Sequence, residues 1–246
     1  MENDKLVNFL VFEKSPIPVS LSSAFADLGM IITNEAPIEG PYLIYENADL
    51  SLRAKSGLSI QIDFLSPNYQ RKFKPSTELL CRACGWHLGF RSVWDLTAGL
   101  GVDALMLAQA DFKVLGIERN KFLVILLKHA LQKFELIGDH EKQLAKQIKF
   151  IHEDSESFLI SNRDIPEVIY YDPMYPAKRK TALPSKEMQV LRELNGTSGE
   201  SLELLDKALS LGAKRVVVKR PHRAPPIIAK PMAEVIGKLV RYDIYR

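Results

Sequence analysis

Cysteine is nearly absent: the 246 residues hold two, Cys81 and Cys84, in the run C-R-A-C. A redox or zinc reading of such a pair needs a strand before a helix N-terminus, or a second pair of ligands elsewhere. No further C-x-x-C and no H-x-x-x-H occurs, so no metal is expected. The pair falls in an expected helix, Ser76–Gly85, and is read as two small residues packing one turn apart. Long apolar runs are missing too; none approaches the roughly 18 residues that cross a bilayer. The opening M-E-N-D-K-L-V-N-F-L lacks the basic segment and apolar core of a secretory signal. A cytoplasmic chain without a membrane partner is expected. Charge of one sign is not in large excess either, at a net +3 and a pI near 8.7. That balance neither demands nor excludes a polyanionic partner, so the distribution of cations must decide.

What is present is an ordinary globular composition, 46% hydrophobic and 26% charged. The length suits one large domain with a small appendage. Residues 1–70 differ in texture from residues 71–246. Prolines at 16, 18, 37, 41 and 67 break the first part into short segments. Apolar alternation in Pro41–Leu52 and Leu58–Leu65 predicts strands. This part reads as a small α/β region packed on the main domain and aiding any contact with a polyanion.

From about residue 76 helices and strands alternate. Strands are expected at Ser92–Leu96, Lys113–Glu118, Gln147–His152, Val168–Tyr171, Arg215–Lys219 and Val240–Tyr245. Helices are expected at Asp103–Ala110, Lys121–Ile137, Ser155–Ile160, Lys186–Leu194 and Ser201–Leu211. The long helix carries Phe122, Leu126, Ala130, Phe134 and Ile137 on one face. Repeated βα units predict a Rossmann-like, mostly parallel sheet covered on both faces. The last strand has no crossover helix before it, so it is expected to enter antiparallel. Ligands of such sheets lie beyond the carboxyl ends of the strands, where the sequence places Asp95, Glu118, Asp154, Asp172 and Lys219.

The stretch Val93–Asp103, V-W-D-L-T-A-G-L-G-V-D, carries the first chemistry. Gly99 and Gly101 with Ala104 fit the G-x-G-x-x-A fingerprint, and Glu118 stands where a ribose-binding acid is expected. Any adenosine cofactor satisfies that pattern. Asp95 ahead of the turn favours a cationic ligand such as S-adenosylmethionine over a pyrophosphate. Asp154 and Ser155 can serve an adenine or cap a helix.

The second element is V-I-Y-Y-D-P-M-Y-P, Val168–Pro176. It resembles the D/N-P-P-Y/F motif of amino-group methyltransferases, with Met174 in place of the second proline. A ring-conjugated amine is a poor nucleophile because its lone pair is delocalised. Asp172 and the Pro173 carbonyl can each accept an amine hydrogen, and Tyr175 offers a ring for an extruded base. Three basic runs surround these residues: Arg71, Lys72 and Lys74, with Tyr69 and Phe73 interleaved; Lys178, Arg179 and Lys180; and Lys219, Arg220 and Arg223. Together they predict a phosphate-binding surface.

In order, D-L-T-A-G-L-G-V-D, G-I-E-R-N, H-E-D-S, Y-D-P-M-Y-P and V-K-R-P-H-R-A-P-P resemble the ribosomal RNA small-subunit methyltransferase J family over residues 70–246. The resemblance implies a Class I fold using S-adenosylmethionine to methylate guanine N2 in 16S ribosomal RNA, free or within the small subunit. It also implies cofactor contacts at Val102, Asp103, Glu118, Arg119, Asp154 and Ser155, with Asp172 between cofactor and base. Residue by residue, three other readings stay open: adenine-N6 methylation of RNA or DNA, a nicotinamide-dependent oxidoreductase, and a non-catalytic RNA-binding protein.

Overall fold

In the main sheet, side chains alternate between two separate cores. Val93, Val168, Tyr170 and Val217 face one cluster, while Trp94, Ile169, Tyr171, Val216 and Val218 face the other. A sheet buried on both faces needs such apolar strands, and helices on each side to cover them.

The structure, a computed structural model, describes residues 10–173, 184–196, 201–228 and 230–246. The first part of the chain runs β1 (Leu10–Glu13), α1 (Val19–Asp27), β2 (Ile31–Thr33), β3 (Tyr42–Glu46), β4 (Asp49–Arg53) and β5 (Ser59–Ile60). These strands form one sheet in the order β2-β1-β3-β4-β5. Strands β3 and β4 make a hairpin where a single strand was expected. Its turn residues, Asn47 and Ala48, both have positive φ, at 52° and 65°. That pair has the hand of a tight hairpin turn without the usual glycine, so the sequence gives no turn signal. Beyond Ile60 the expected strand does not continue, although Ile62 and Phe64 are buried.

The main part contains α2 (Leu79–Ala83), β6 (Ser92–Asp95), α3 (Val102–Gln109), β7 (Lys113–Glu118), α4 (Lys121–Glu135), α5 (Asp139–Ala145), β8 (Ile148–His152), α6 (Ser155–Ser161), β9 (Val168–Tyr171), α7 (Lys186–Asn195), α8 (Leu202–Ser210), β10 (Arg215–Pro221), β11 (Ala233–Ile236) and β12 (Val240–Tyr245). The sheet order is β11-β12-β10-β9-β6-β7-β8. Strands β6 to β10 pair in parallel, and β12 enters antiparallel between β10 and β11, as expected.

Several boundaries differ from expectation, each for a local reason. Helix α2 is shorter because Glu78 caps it, its carboxylate accepting from the Leu79 N–H, and because Gly85 turns left-handed. Helix α4 stops at Glu135, which leaves Ile137 56% exposed instead of on the packed face. Helix α5 and strand β11 were not expected. Each buries too little for a periodic apolar signal: only Leu144 and Ala145 in α5, and no fully buried residue in β11. Cys81 and Cys84 are fully buried free thiols, and burial pushes the Cys81 thiol up to about 12.

The first sheet is not a loose appendage. Leu43, Leu50, Leu52, Ile60 and Phe64 belong to the same cluster as α3 and α4. The Phe64 ring lies 5.2 Å from Tyr69, 6.0 Å from Phe134 and 6.5 Å from Phe150. The hydrophobic core therefore crosses residue 70 without a break.

Candidate active site

The carboxyl ends of β6, β7, β9 and β10 converge on one edge of the sheet, and the loops there are tied by their own side chains. Gly99, at φ +54°, donates its N–H to Glu118 Oε2 at 3.0 Å, and Asn120 donates to Oε1 at 2.8 Å. Burial raises the Glu118 carboxyl above its usual range, and these backbone donors oppose the shift. Gly101 donates to the Ala98 carbonyl at 2.8 Å. Both glycine N–H groups are thus committed inside the protein and offer nothing to an anion.

The two glycines do different work. A Cβ on Gly101 would lie 2.7 Å from Leu127 Cδ2 and 3.3 Å from both Phe64 and Phe150, so this residue lets the loop close onto the core. A Cβ on Gly99 would meet only the Thr97 carbonyl, at 3.7 Å. That is the side left open for a ligand.

Around this loop lies a cluster of charge. Asp95 is 1% exposed and accepts from the Thr97 N–H at 3.0 Å. Burial, reinforced by Asp103 and Asp172, pushes it up to about 8, against the Thr97 hydrogen bond and Lys219. The Thr97 hydroxyl in turn accepts from the Asp172 N–H at 2.8 Å, which fixes the end of β9 to the loop after β6. Asp103, in the first turn of α3, receives the Tyr170 hydroxyl at 2.6 Å and the Lys219 ammonium at 2.9 Å, both on Oδ2. The same ammonium lies 2.9 Å from Asp172 Oδ2. Burial raises Asp172 and Lys219 pulls it back, while the flanking carboxylates hold Lys219 firmly protonated.

Against this geometry, the model described as "Putative SAM-dependent methyltransferase" matches residues 27–246. Ribosomal RNA small subunit methyltransferase J of Yersinia pseudotuberculosis is 35% identical over 242 residues, 96% of this chain and 94% of that protein. The chain belongs to this family. The Bdellovibrio bacteriovorus protein of the same name is 39% identical over 191 residues, 76% of this chain and 73% of that one. A SAM-dependent methyltransferase of Neisseria gonorrhoeae has a TM-score of 0.76 at 26% identity, covering 96% of this chain and 95% of its own.

The protein is therefore a Class I methyltransferase, and S-adenosylmethionine is its cofactor. The residues at the strand ends fit that cofactor. Asp103 and Asp172 share one lysine, an excess of negative charge that suits a sulfonium and an amine and would repel a pyrophosphate. The Glu118 carboxylate accepts from backbone N–H groups on both oxygens, and an acid held this way can also accept from a ribose hydroxyl.

The other residues expected at the site lie as follows. Val102 is 38% exposed beside Asp103 at the start of α3. Arg119 is exposed and donates to the Asn195 carbonyl at 3.1 Å. Asp154 caps α6 through Oδ1, accepting from the Glu156 and Ser157 N–H groups at 3.0 and 3.1 Å. Ser155 gives its proton to the Leu96 carbonyl at 2.5 Å, which leaves its hydroxyl oxygen as an acceptor and not as a donor. Pro173 is buried after Asp172. Tyr175, Lys178, Arg179 and Lys180 lie outside the described residues.

The basic runs separate into two kinds. Lys72, Lys74 and Arg223 are exposed. Arg71 is exposed but paired with Glu78 and set over the Phe73 ring. Two residues expected on the RNA surface are not on it. Arg220 is 2% exposed and donates to the Pro225 carbonyl, and Lys219 is spent on Asp103 and Asp172. A buried cation must be paired where it is buried, which no count of surface charge reveals. The aromatics also point inward: Tyr69 packs on Phe64 and donates to the Leu100 carbonyl at 2.9 Å. Thr97 and Tyr170 were missed. A hydroxyl inside the glycine turn and a tyrosine two residues before the D-P pair were the available signals.

Proposed function

We propose that this methyltransferase methylates the exocyclic N2 amine of a guanine in 16S ribosomal RNA, in the cytoplasm, either on free RNA or on the small subunit. The observation that carries the reading is Asp172 at the end of β9, with Lys219 holding Oδ2 and Pro173 following directly. S-adenosylmethionine supplies a methyl group on a sulfonium that leaves without needing a proton. Asp95, Asp103, Glu118, Asp154 and Ser155 would hold that cofactor, with Gly99, Val102 and Arg119 beside them. On the base, Asp172 Oδ1 and the Pro173 carbonyl each accept one N2 hydrogen. This turns the nitrogen lone pair out of conjugation and toward the methyl group. One N2 proton must depart after transfer, and Asp172, raised by burial, is able to receive it. Tyr175 supplies the stacking ring. No covalent bond to the enzyme is formed, so positioning does most of the work.

The names of the relatives, which specify the small-subunit ribosomal RNA, support the substrate class. Lys72, Lys74 and Arg223, joined by Arg71, form the phosphate-facing surface in this reading. Residues 1–70 support the glycine loop from behind through Phe64 and carry that surface toward the RNA. The test is transfer of a labelled methyl group to naked 16S ribosomal RNA and to small subunits lacking the modification, followed by nucleoside analysis. N2-methylguanosine is expected. N6-methyladenosine would replace this reading with the adenine one, which the D-P pair alone also permits.

A further inference from the structure

We propose that Lys219 is the positioning residue that keeps Asp172 ionised and aimed, so that this lysine sets the lower pH limit of catalysis. The inference rests on the reading of Asp172 as the acceptor of the amine hydrogens. Four observations converge on it. The Lys219 ammonium stands 2.9 Å from Oδ2 of both Asp103 and Asp172, joining the start of α3 to the end of β9. Its side chain is only 24% exposed, so few of its hydrogen bonds go to water. The Tyr170 hydroxyl donates to the same Asp103 oxygen at 2.6 Å, which anchors the far side of the bridge. The acceptor it serves belongs to a crowded set of acids: Asp95 from β6, Asp103 from α3 and Asp172 just after β9, with the neutral Tyr170 and Tyr242 hydroxyls nearby.

Three carboxylates this close cannot all ionise without a cation among them. A protonated Asp172 presents a hydroxyl where the amine needs an acceptor, so the protonated enzyme cannot turn the N2 lone pair. Lys219 prevents this in two ways. Its charge favours the anion, and its contact with Oδ2 leaves Oδ1 toward the base. Arginine at this position retains the charge and can bridge two carboxylates. Methionine retains most of the stem and removes the charge.

The experiment compares wild type, Lys219→Met, Lys219→Arg and Asp172→Asn in methyl transfer between pH 5.5 and 9.5, with thermal melts and calorimetric S-adenosylmethionine binding on each. An opposite charge within about 4–6 Å moves a carboxyl by roughly 1–3 pH units. Lys219→Met should therefore move the acid limb of kcat upward by at least about one unit. From an acid limb near 6, a one-unit rise loses about twofold at pH 7 and a two-unit rise about tenfold, with recovery toward pH 9 and KM for RNA little changed. Lys219→Arg should restore the wild-type limb. A folded Lys219→Met with a pH-independent loss, or with no loss, overturns the proposal. If that variant does not fold, Lys219→Arg and Lys219→Gln carry the same comparison, and coincident acid limbs for those two overturn it. Asp172→Asn with near-normal turnover would overturn the underlying reading of Asp172 itself, a result distinct from either failure of Lys219.

Discussion

The two glycines of the loop after β6 are similar in sequence and opposite in consequence, and alanine at each separates folding from cofactor binding. At Gly101 the backbone sits at φ +77°, and the added Cβ would lie 2.7 Å from Leu127 Cδ2 with Phe64 and Phe150 behind it. An L-residue held left-handed costs about 1–2 kcal/mol, and forcing a methyl into a packed core costs about 1–3 kcal/mol more. Gly101→Ala should thus lose about 2–5 kcal/mol, which for a chain of this size lowers Tm by roughly 5–15 °C. At Gly99 the φ is +54° and the nearest atom is the Thr97 carbonyl at 3.7 Å. Only the backbone term applies, about 1–2 kcal/mol, or a few degrees. Its methyl, however, stands on the side assigned to the cofactor and should weaken S-adenosylmethionine at least about tenfold. Scanning calorimetry and cofactor titration on both variants decide the matter. A Gly101→Ala protein within about 1 kcal/mol of wild type, or a Gly99→Ala protein with unchanged cofactor affinity, would refute this division of labour.

Further outcomes follow from the charge cluster and from the clamps around it. Asp95 holds its proton to about pH 8 in the folded chain, whereas the unfolded carboxyl releases it near 3.9. The native state therefore binds more protons between those values, so stability falls as pH rises through that window, by at most about 1.4 kcal/mol per unit. Asp95→Asn should flatten that slope in chemical denaturation at pH 5 to 8, and an unchanged slope would assign it to another group. Asp172→Ala should lose activity by roughly 10²–10⁴-fold with a smaller change in cofactor Kd, as single-turnover transfer and calorimetry will read. The Arg241 guanidinium lies 2.5 and 3.0 Å from the two oxygens of Asp243, which is wholly buried. Arg241→Met should then cost about 3–5 kcal/mol of stability in a denaturant titration, because it leaves that charge alone. Neutralising Lys72, Lys74 and Arg223 together should reduce the salt slope of RNA binding by about 2, and a slope that stays constant would place the RNA on another face.

Much of the positioning was legible because it lies in local patterns. Strands β7 and β9 end where their apolar runs end, with Glu118 and Asp172 at those ends, and Gly99 and Gly101 follow the end of β6. The turn at Asn47 and Ala48 was not legible, since its conformation is imposed by the register of β3 on β4 and not by a glycine. The exposed strand β11 was hidden for a related reason: its pairing with β12 gives it structure without giving it burial. The site shows the same divide. Acids at strand ends can be counted from a sequence, but their partners cannot. Lys219 reads as one cation in V-K-R-P-H-R, and only the proximity of α3 to β9 and β10 turns it into a bridge between Asp103 and Asp172.

That bridge also explains how a loop with a dinucleotide-like spacing selects a different cofactor. A pyrophosphate site needs free N–H groups at the helix start and no anion near them. Here Gly99 and Gly101 give their N–H groups to Glu118 and Ala98, and Asp103 occupies the first turn of α3. The loop is thus held by a carboxylate where a dinucleotide would have to place its phosphates. Asp103 and Asp172 together carry one more negative charge than Lys219 can cancel, and a cation is the ligand that relieves the excess. The glycine spacing sets the shape of the turn. The charge around it decides what suits it.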